Sequence, residues 1–128
     1  MLRRPPEFRG RSKSRTGTEG ERIAVRHLKE RNYRIIERNF RCRFGEIDIV
    51  AAKEEYLVFV EVKTRNAGRE EIDPMISVTQ SKCRKLRQLG TYYIQSFNLY
   101  DMQPRFDVVG ITIQDSRRFT LEHIENAF

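Results

Sequence analysis

The sequence contains two apolar runs in close succession, GEIDIVA at residues 45–51 and YLVFVEVKTR at residues 56–65. Both are rich in β-branched and aromatic residues, and the polar segment at residues 53–55 is suited to a hairpin connection between them. The runs therefore predict two neighbouring antiparallel strands. A protein core disfavours charge, yet charged residues interrupt these runs, namely Asp48, Glu61 and Lys63.

The segments on either side predict the element order α-β-β-β-α-β-β. A helix is expected after Gly17, where Thr18 and Glu21 have the spacing of a capping box. Residues 33–40 predict a strand, with one side formed by Tyr33, Ile35, Glu37 and Asn39. The remaining elements are expected to be a helix over residues 79–97 and strands over residues 104–113 and 119–124.

The connections between these elements predict the fold class. Strands joined by short turns form an antiparallel meander, whereas a strand, a helical crossover and another strand form a parallel pair. The sheet is therefore expected to be mixed, with helices packed against it, in one α/β domain over residues 17–128. A chain of 128 residues has the length of a single domain with a real core.

The net charge of +7 is unevenly distributed along the chain. Residues 1–16 hold six basic residues against Glu7 alone, a balance of +5, and the remaining 112 residues hold 19 basic and 17 acidic residues, a balance of +2. This tail has few apolar side chains to bury, so it is predicted to be disordered when free. Two roles remain open for it. It either serves solubility alone or contacts nucleic-acid phosphates through Arg11, Lys13 and Arg15.

Composition argues against a membrane protein and a secreted protein. No apolar run approaches the roughly 20 residues that a membrane-spanning helix requires, and the basic start lacks the apolar stretch of a secretory signal. Cys42 and Cys83 lie far apart, without the spacing of a metal site. We expect reduced thiols in a cytoplasmic protein that has no membrane partner.

Strand alternation predicts which face of the sheet each charged residue occupies. Glu61 and Lys63 share a face with Leu57 and Phe59, so that face is not simply exposed to solvent. In the preceding strand, Asp48 is expected to lie on the face opposite to Ile47 and Ile49. A hairpin between the two strands then allows Asp48 to approach Glu61.

Two neighbouring carboxylates repel each other unless a cation or a proton lies between them. Mg²⁺ and Mn²⁺ take oxygen ligands, and few of these come from the protein where water and substrate phosphate complete the shell. A nearby lysine can orient or deprotonate the attacking water, or neutralise charge on the phosphate. The open alternative is a surface salt bridge between Glu61 and Lys63, worth less than about 1 kcal/mol.

Further motifs extend through most of the chain after the tail. They comprise Gly17, Gly20, Glu21 and Ala24, RNFR at residues 38–41, GEIDIVA at residues 45–51, VFVEVKTR at residues 58–65, Lys82, RFDVV at residues 105–109 and NAF at residues 126–128. Together these motifs resemble the YraN family of small bacterial proteins, which is similar to archaeal Holliday-junction resolvases within the PD-(D/E)xK nuclease superfamily. One departure is Ile47, where the superfamily pattern has a proline that is dispensable for ligation.

The resemblance implies a restriction-endonuclease-like mixed β-sheet flanked by helices, and divalent-metal hydrolysis of a nucleic-acid phosphodiester. Carried over to this chain, it implies that Asp48 and Glu61 bind Mg²⁺ or Mn²⁺, with the Val62 carbonyl as a backbone ligand. Lys63 would serve the attacking water. Glu21 would complete the acidic cluster from the first helix.

The leading interpretation is a structure-directed or nonspecific DNA endonuclease, because nothing in the chain resembles a base-reading helix or a zinc finger. The alternatives are a noncatalytic nucleic-acid-binding protein and a protein-interaction module with a vestigial acidic cluster. Contacts to a nucleic-acid backbone are expected from Arg41, Arg43, Arg65 and Lys82. The sequence does not decide whether the substrate is DNA or RNA, or whether it is branched or linear. It also leaves open whether one metal or two are bound and whether the chain forms a homodimer.

Overall fold

The structure is a computed structural model that describes residues 15–68 and 79–128, with side chains described from residue 18 onward in the first range. The elements are α1 (Arg15–Glu30), β1 (Arg34–Cys42), β2 (Gly45–Lys53), β3 (Tyr56–Asn66), α2 (Gln80–Phe97), β4 (Gln103–Ile113) and β5 (Phe119–Ile124). This order confirms the α-β-β-β-α-β-β prediction.

A single five-stranded sheet has the strand order β1-β2-β3-β4-β5. The first three strands form an antiparallel meander, and α2 then crosses over so that β4 runs parallel to β3, from the Tyr56–Gln103 pair to the Asn66–Ile113 pair. Strand β5 returns antiparallel to β4. The predicted mixed sheet and its parallel pair are therefore confirmed.

Each face of the sheet is covered by one helix, which gives the domain two cores. The α1 core lies beneath the first helix and includes Ala24, Leu28, Val58, Val60 and Val109. The α2 core lies beneath the second helix and includes Phe40, Leu57, Phe59, Leu89 and Tyr93. Residues 57–60 thus alternate between the two cores, as predicted, because both faces of β3 are apolar and both are covered.

Helix α2 ends at Phe97 as predicted and begins one residue later than predicted, at Gln80, because Thr79 is its N-cap. The Thr79 hydroxyl accepts a hydrogen bond from the Lys82 backbone N–H at 3.2 Å, and Asn98 adopts a left-handed conformation after the last turn. Gly90 lets the helix approach the sheet, since a Cβ there would lie 2.9 Å from Phe106 Cζ. The helix start, with Lys82 in its first turn, is therefore held close to β2 and β3.

Helix α1 begins earlier than predicted, at Arg15, so Thr18 lies within the helix and does not cap it. The capping-box prediction for Thr18 and Glu21 is therefore wrong, because the helix has already started upstream. The helix packs closely on β3, since a Cβ on Gly20 would overlap the side chain of Thr64. Only 2% of Glu21, the next residue, is exposed.

Strand β1 contains a bulge between Ile35 and Glu37, where its register with β2 shifts by one residue. Tyr33 and Ile35 pack on the α1 core, whereas the Glu37 carboxylate accepts a hydrogen bond from Tyr93 of α2 at 3.2 Å. The prediction that Glu37 shares a side with Tyr33 and Ile35 is therefore wrong. The extra residue of a bulge reverses the direction of the side chains that follow it.

The predicted tail at residues 1–16 lies almost wholly outside the described residues. Neither helix in the described part of the chain is long and apolar enough to cross a membrane.

Candidate functional site

The candidate site lies where β2 and β3 separate. Their ladder runs from the Lys53–Tyr56 pair to the Ile49–Val60 pair and then stops. Beyond it, the Asp48 carboxylate accepts a hydrogen bond from the Val62 backbone N–H at 2.8 Å, in place of a backbone acceptor. The side chain of Asp48 therefore fills the opening between the strands and is 7% exposed as a residue.

The alternation of β2 is also interrupted at Asp48. Ile49 packs in the α1 core as expected, but Ile47 packs in the α2 core with Phe40. The prediction that Ile47 and Ile49 share a face is therefore wrong, because the β1–β2 pair is irregular here: Asn39, between the partners of these two residues, has a left-handed φ of 55°.

Glu61 is the centre of the charged cluster. Its Oε1 atom lies 3.3 Å from Lys63 Nζ and 3.2 Å from Lys82 Nζ, and its side chain is 11% exposed. Burial raises the pKa of Glu61, and repulsion from Asp48 raises it further, against the attraction of the two lysines. The hairpin therefore brings Asp48 and Glu61 near each other, as the strand pattern predicts.

The two lysines on Glu61 are in unequal environments. Burial lowers the pKa of Lys63, and its hydrogen bond with Lys82 lowers it further. Burial also acts to lower the pKa of Lys82, but the hydrogen bond with Lys63 and the attraction of Glu61 outweigh it, so the pKa of Lys82 is raised. The pKa values of the two lysines are therefore shifted in opposite directions, and Lys63 loses its proton more readily than Lys82.

These carboxylates line a cleft of about 720 Å³ between the start of β2 and the first half of α2. Basic residues surround them, since the described lining includes Arg41, Arg43, Lys82 and Lys85. Arg41 donates to the Glu46 carboxylate at 2.9 Å, and the Arg43 guanidinium lies 5.0 Å from the centre of the Phe44 ring. The described lining also holds three acids, Glu46, Asp48 and Glu61, so the cleft combines carboxylates with a basic rim that suits an anionic ligand.

Other predicted site residues are more scattered. Glu21 is buried on α1 and is not among the described residues that line the cleft. Arg65 donates to Thr112 at 3.3 Å, toward β4. Arg11 and Lys13 lie outside the described residues, as does the side chain of Arg15. In the described ranges no group of three or more histidine, cysteine, aspartate or glutamate residues could hold a metal ion.

A second polar cluster lies on the other face, around Asp107 of β4. Its carboxylate, fully buried, accepts two hydrogen bonds from Arg105, at 3.0 and 2.9 Å, and one from the Asn126 backbone N–H at 3.0 Å. Arg105 and Asp107 therefore form a structural ion pair within β4. The same carboxylate lies 2.8 Å from His123, whose ring contacts His27.

Sequence reasoning missed this contact between the two histidines. They are 96 positions apart, on α1 and β5, and neither has a ligand-type residue at a recognisable spacing. The one available signal was a carboxylate in an otherwise apolar strand, which requires polar partners from elsewhere in the fold.

Comparison with known proteins places the chain among relatives of similar length. A family model described as uncharacterised protein family UPF0102 matches residues 20–111. A UPF0102 protein of Pelobacter propionicus is 47% identical over 115 residues, which cover 88% of this chain and 81% of that protein. One of Geobacter sulfurreducens is 44% identical over 112 residues, covering 88% and 87%. One of Syntrophus aciditrophicus is 39% identical over 121 residues, covering 94% of each. The chain therefore belongs to the UPF0102 family, which is the YraN family that its motifs resemble.

Proposed function

We propose that this protein is a divalent-metal-dependent endonuclease that hydrolyses phosphodiester bonds of DNA in a structure-directed or nonspecific manner. The observation that carries the proposal is the cluster of Asp48, Glu61, Lys63 and Lys82 where β2 and β3 separate. Burying several charges costs more free energy than apolar side chains at the same positions. Such a cluster in a cleft, with perturbed pKa values, is typical of functional sites.

The donor chemistry of the cleft fits Mg²⁺ or Mn²⁺. Magnesium commonly takes one or two carboxylates from a protein, with water and substrate phosphate supplying the rest. Asp48 and Glu61 are such a pair, and a bound cation would relieve the repulsion that raises the pKa of Glu61. We assign the metal to these two residues. The family resemblance also implies Glu21 and the Val62 carbonyl as ligands, but Glu21 is not among the described residues that line the cleft, so the assignment does not depend on it. When bound, the metal supplies Lewis-acid activation of the phosphate ester.

The two lysines have different roles in this proposal. Lys63 serves the attacking water, because burial and Lys82 lower its pKa and so make it a better proton acceptor than an ordinary lysine. Lys82 keeps its proton, since its pKa is raised, and neutralises the charge that develops on the phosphate. Glu61 holds both amines within 3.3 Å of one carboxylate oxygen, so the acid and base functions are kept together.

The basic rim supports a nucleic-acid substrate. Arg41, Arg43 and Lys85 line the cleft with Lys82, and lysine and arginine contacts to phosphates position a nucleic acid without reading its sequence. No base-reading motif is present in the sequence, so we propose that DNA is recognised by shape or without preference. Arg65 lies on the same strand as Glu61, two residues beyond Lys63, and would contact the backbone outside the cleft.

The deciding experiment is a cleavage assay in Mg²⁺ or Mn²⁺ with labelled DNA as four-way junctions, flaps, single strands and duplexes. RNA substrates are tested in parallel. We expect Glu61→Gln to abolish cleavage while leaving the circular dichroism spectrum unchanged, since the amide keeps the shape and loses the charge. The matched control is Glu122→Gln, an exposed carboxylate on β5 that lies away from the cleft. It should cleave at the wild-type rate.

Two results would overturn the proposal. Cleavage that persists in Glu61→Gln would come from a contaminating nuclease or from another site. Binding of DNA with no cleavage in either metal would favour the noncatalytic nucleic-acid-binding protein, which retains the fold and its basic rim without the chemistry.

A further inference from the structure

The chain contains two histidines, and the fold brings them into contact. His27 lies in the last turn of α1 and His123 lies in β5. His27 Nε2 is 3.0 Å from His123 Nδ1, and the ring centres are 5.1 Å apart with the planes at 69°. One nitrogen of each ring thus faces the other across the junction between α1 and the end of the sheet.

Asp107 fixes the protonation pattern of His123. A carboxylate can only accept hydrogen bonds, so His123 Nε2, at 2.8 Å from Asp107 Oδ2, must carry a proton. The same carboxylate accepts hydrogen bonds from Arg105 and from the Asn126 backbone N–H, so donors surround it. With the proton on Nε2, the neutral His123 ring presents the lone pair of Nδ1 toward His27.

The two rings open onto solvent through a shallow cleft of about 560 Å³. Its described lining also includes Arg31, Leu121 and Glu125. Glu125 carries a carboxylate whose side chain is 59% exposed. His27 is half-buried and the His123 side chain is 8% exposed, so the cleft reaches the pair mainly from the His27 side.

We propose that His27 Nε2 and His123 Nδ1 form a binding site for a transition-metal ion of the Zn²⁺, Ni²⁺ and Cu²⁺ class. Two imidazole nitrogens at metal–nitrogen distances of about 2.0–2.1 Å and a tetrahedral angle lie about 3.3 Å apart. The observed 3.0 Å needs only a small rotation of the half-buried His27 ring to reach that spacing. His27 moves its proton from Nε2 to Nδ1, so that both facing nitrogens offer lone pairs.

Asp107 gives this pair the support that histidine ligands in metal sites usually have. The second ring nitrogen of a metal-binding histidine almost always donates to a carboxylate or carbonyl, which fixes the ring and makes it a better ligand. Asp107 does this for His123 and is itself held by Arg105 and by the Asn126 N–H. The carboxylate is therefore rigid and fully buried, as such a supporting group should be.

The site is open, with two protein ligands. Because no group of three ligand-type residues is found across residues 15–68 and 79–128, water fills the remaining positions. Imidazole selects Zn²⁺, Ni²⁺ and Cu²⁺, whereas the carboxylates Asp48 and Glu61 suit Mg²⁺ and Mn²⁺. The two sites therefore take different ions, and the histidine site does not depend on the proposed nuclease activity.

The test is Ni²⁺ titration by calorimetry on the full chain without a histidine tag, after chelator treatment. Cys42→Ser and Cys83→Ser are included in every variant, because thiolates bind the same ions. The titrations use a Glu61→Gln background, which removes a ligand of the proposed carboxylate site. There we expect one saturable Ni²⁺ site, absent with Mg²⁺ as titrant, and at least about tenfold weaker when His27→Gln is added, since loss of a ligand should exceed the loss of a supporting residue. Glu122→Gln, an exposed carboxylate next to His123, is the matched control and should bind normally.

Nuclear magnetic resonance of the imidazole nitrogens tests the assignment at the atomic level, because every histidine signal comes from this pair. Zn²⁺ should shift His27 Nε2 and His123 Nδ1 and leave His123 Nε2 bonded to Asp107. His123→Gln also removes a hydrogen bond to the buried Asp107 carboxylate and can unfold the protein. The metal site is therefore tested with His27→Gln. Absence of saturable Ni²⁺ binding, or equal binding in His27→Gln, would show that the pair is only a hydrogen-bonded contact.

Discussion

The Asp48 carboxylate accepts a hydrogen bond from the Val62 backbone N–H at 2.8 Å, one residue beyond Glu61 on the neighbouring strand. The bond closes the end of the β2–β3 ladder with a side chain, and it directs an acid into the cleft that Glu61 lines. Asp48 therefore contributes both to the stability of the hairpin and to the proposed metal site, and substitutions can separate the two contributions.

Asp48→Ala removes the acceptor and leaves a shielded Val62 N–H, so we expect a loss of about 1–3 kcal/mol in the free energy of unfolding. Asp48→Asn keeps a carbonyl oxygen at the same position and should lose less than half of that. Both variants should lose metal-dependent cleavage, because the charged ligand is gone in each. Urea denaturation measures the first effect and the cleavage assay the second. Equal stability of the two variants would contradict the structural role of the bond.

Lys82→Met should raise the pKa of Lys63. Burial is the main cause of the lowered pKa of Lys63, and Lys82 is the next cause. Without Lys82, its lowering effect on the pKa of Lys63 is lost, and Glu61 forms an ion pair with Lys63 only. Each of these two consequences favours the ammonium form of Lys63. Titration of the lysine side chains by nuclear magnetic resonance measures the shift directly. Lys85→Met removes another lysine of the cleft lining and should leave the pKa of Lys63 close to its wild-type value; an equal shift there would indicate a general field effect.

Asp107→Asn should destabilise the fold strongly. The change breaks a buried pair with Arg105 and disturbs the bond to His123, and loss of one partner of a buried ion pair typically costs about 3–5 kcal/mol. Asp115→Asn is the control, since its carboxylate lies in an exposed turn and bonds only locally. Thermal and urea denaturation of the two variants should differ clearly, and comparable stability would show that Asp107 is dispensable.

The pH dependence of stability follows from the same residue. The pKa of Asp107 in the folded protein lies below its ordinary value of 3.8. The contribution of ionised Asp107 to the free energy of unfolding is therefore complete above the pKa that this residue has in the unfolded chain. The contribution is lost as pH falls through the pKa that the residue has in the folded protein. Wild-type stability should fall steeply in acid below about pH 4, and the Asp107→Asn variant should fall less steeply. Parallel curves for the two proteins would exclude Asp107 as a source of the acid sensitivity.

The sequence predicted the element order and the faces of β3 because those depend on local pattern. Residues 57–60 are apolar on both sides, and both sides are covered, so alternation alone places them. The bulge after Ile35 and the irregularity at Asn39 depend instead on how two strands pair. No pattern within one strand specifies its register against another, which is why the positions of Glu37 and Ile47 were predicted wrongly.

The candidate site also combines residues that local sequence indicates with contacts that depend on tertiary packing. Asp48, Glu61 and Lys63 could be selected from sequence because a charge inside an apolar run is conspicuous. The sequence indicates Lys82 only as a backbone contact, since its ion pair with Glu61 depends on how α2 crosses the sheet. The contact of His27 with His123 required the packing of α1 against the last strand, at a separation of 96 residues, and no local signal marks it.

Removal of residues 1–14 should weaken DNA binding and reduce its dependence on salt. This segment holds five basic residues and Glu7, and the truncation leaves α1 intact from Arg15. Each phosphate contact contributes about 0.9 to the slope of log affinity against log salt for duplex DNA, so five contacts would lower the slope by about 4 to 5. Binding titrations between 50 and 200 mM salt, roughly the range in which such effects are large, measure the slope.

The control replaces the five basic residues with glutamine at full length and should match the truncation. An unchanged slope in both proteins would exclude this segment as a phosphate contact, and cleavage chemistry should persist in both because Asp48, Glu61 and Lys63 are untouched.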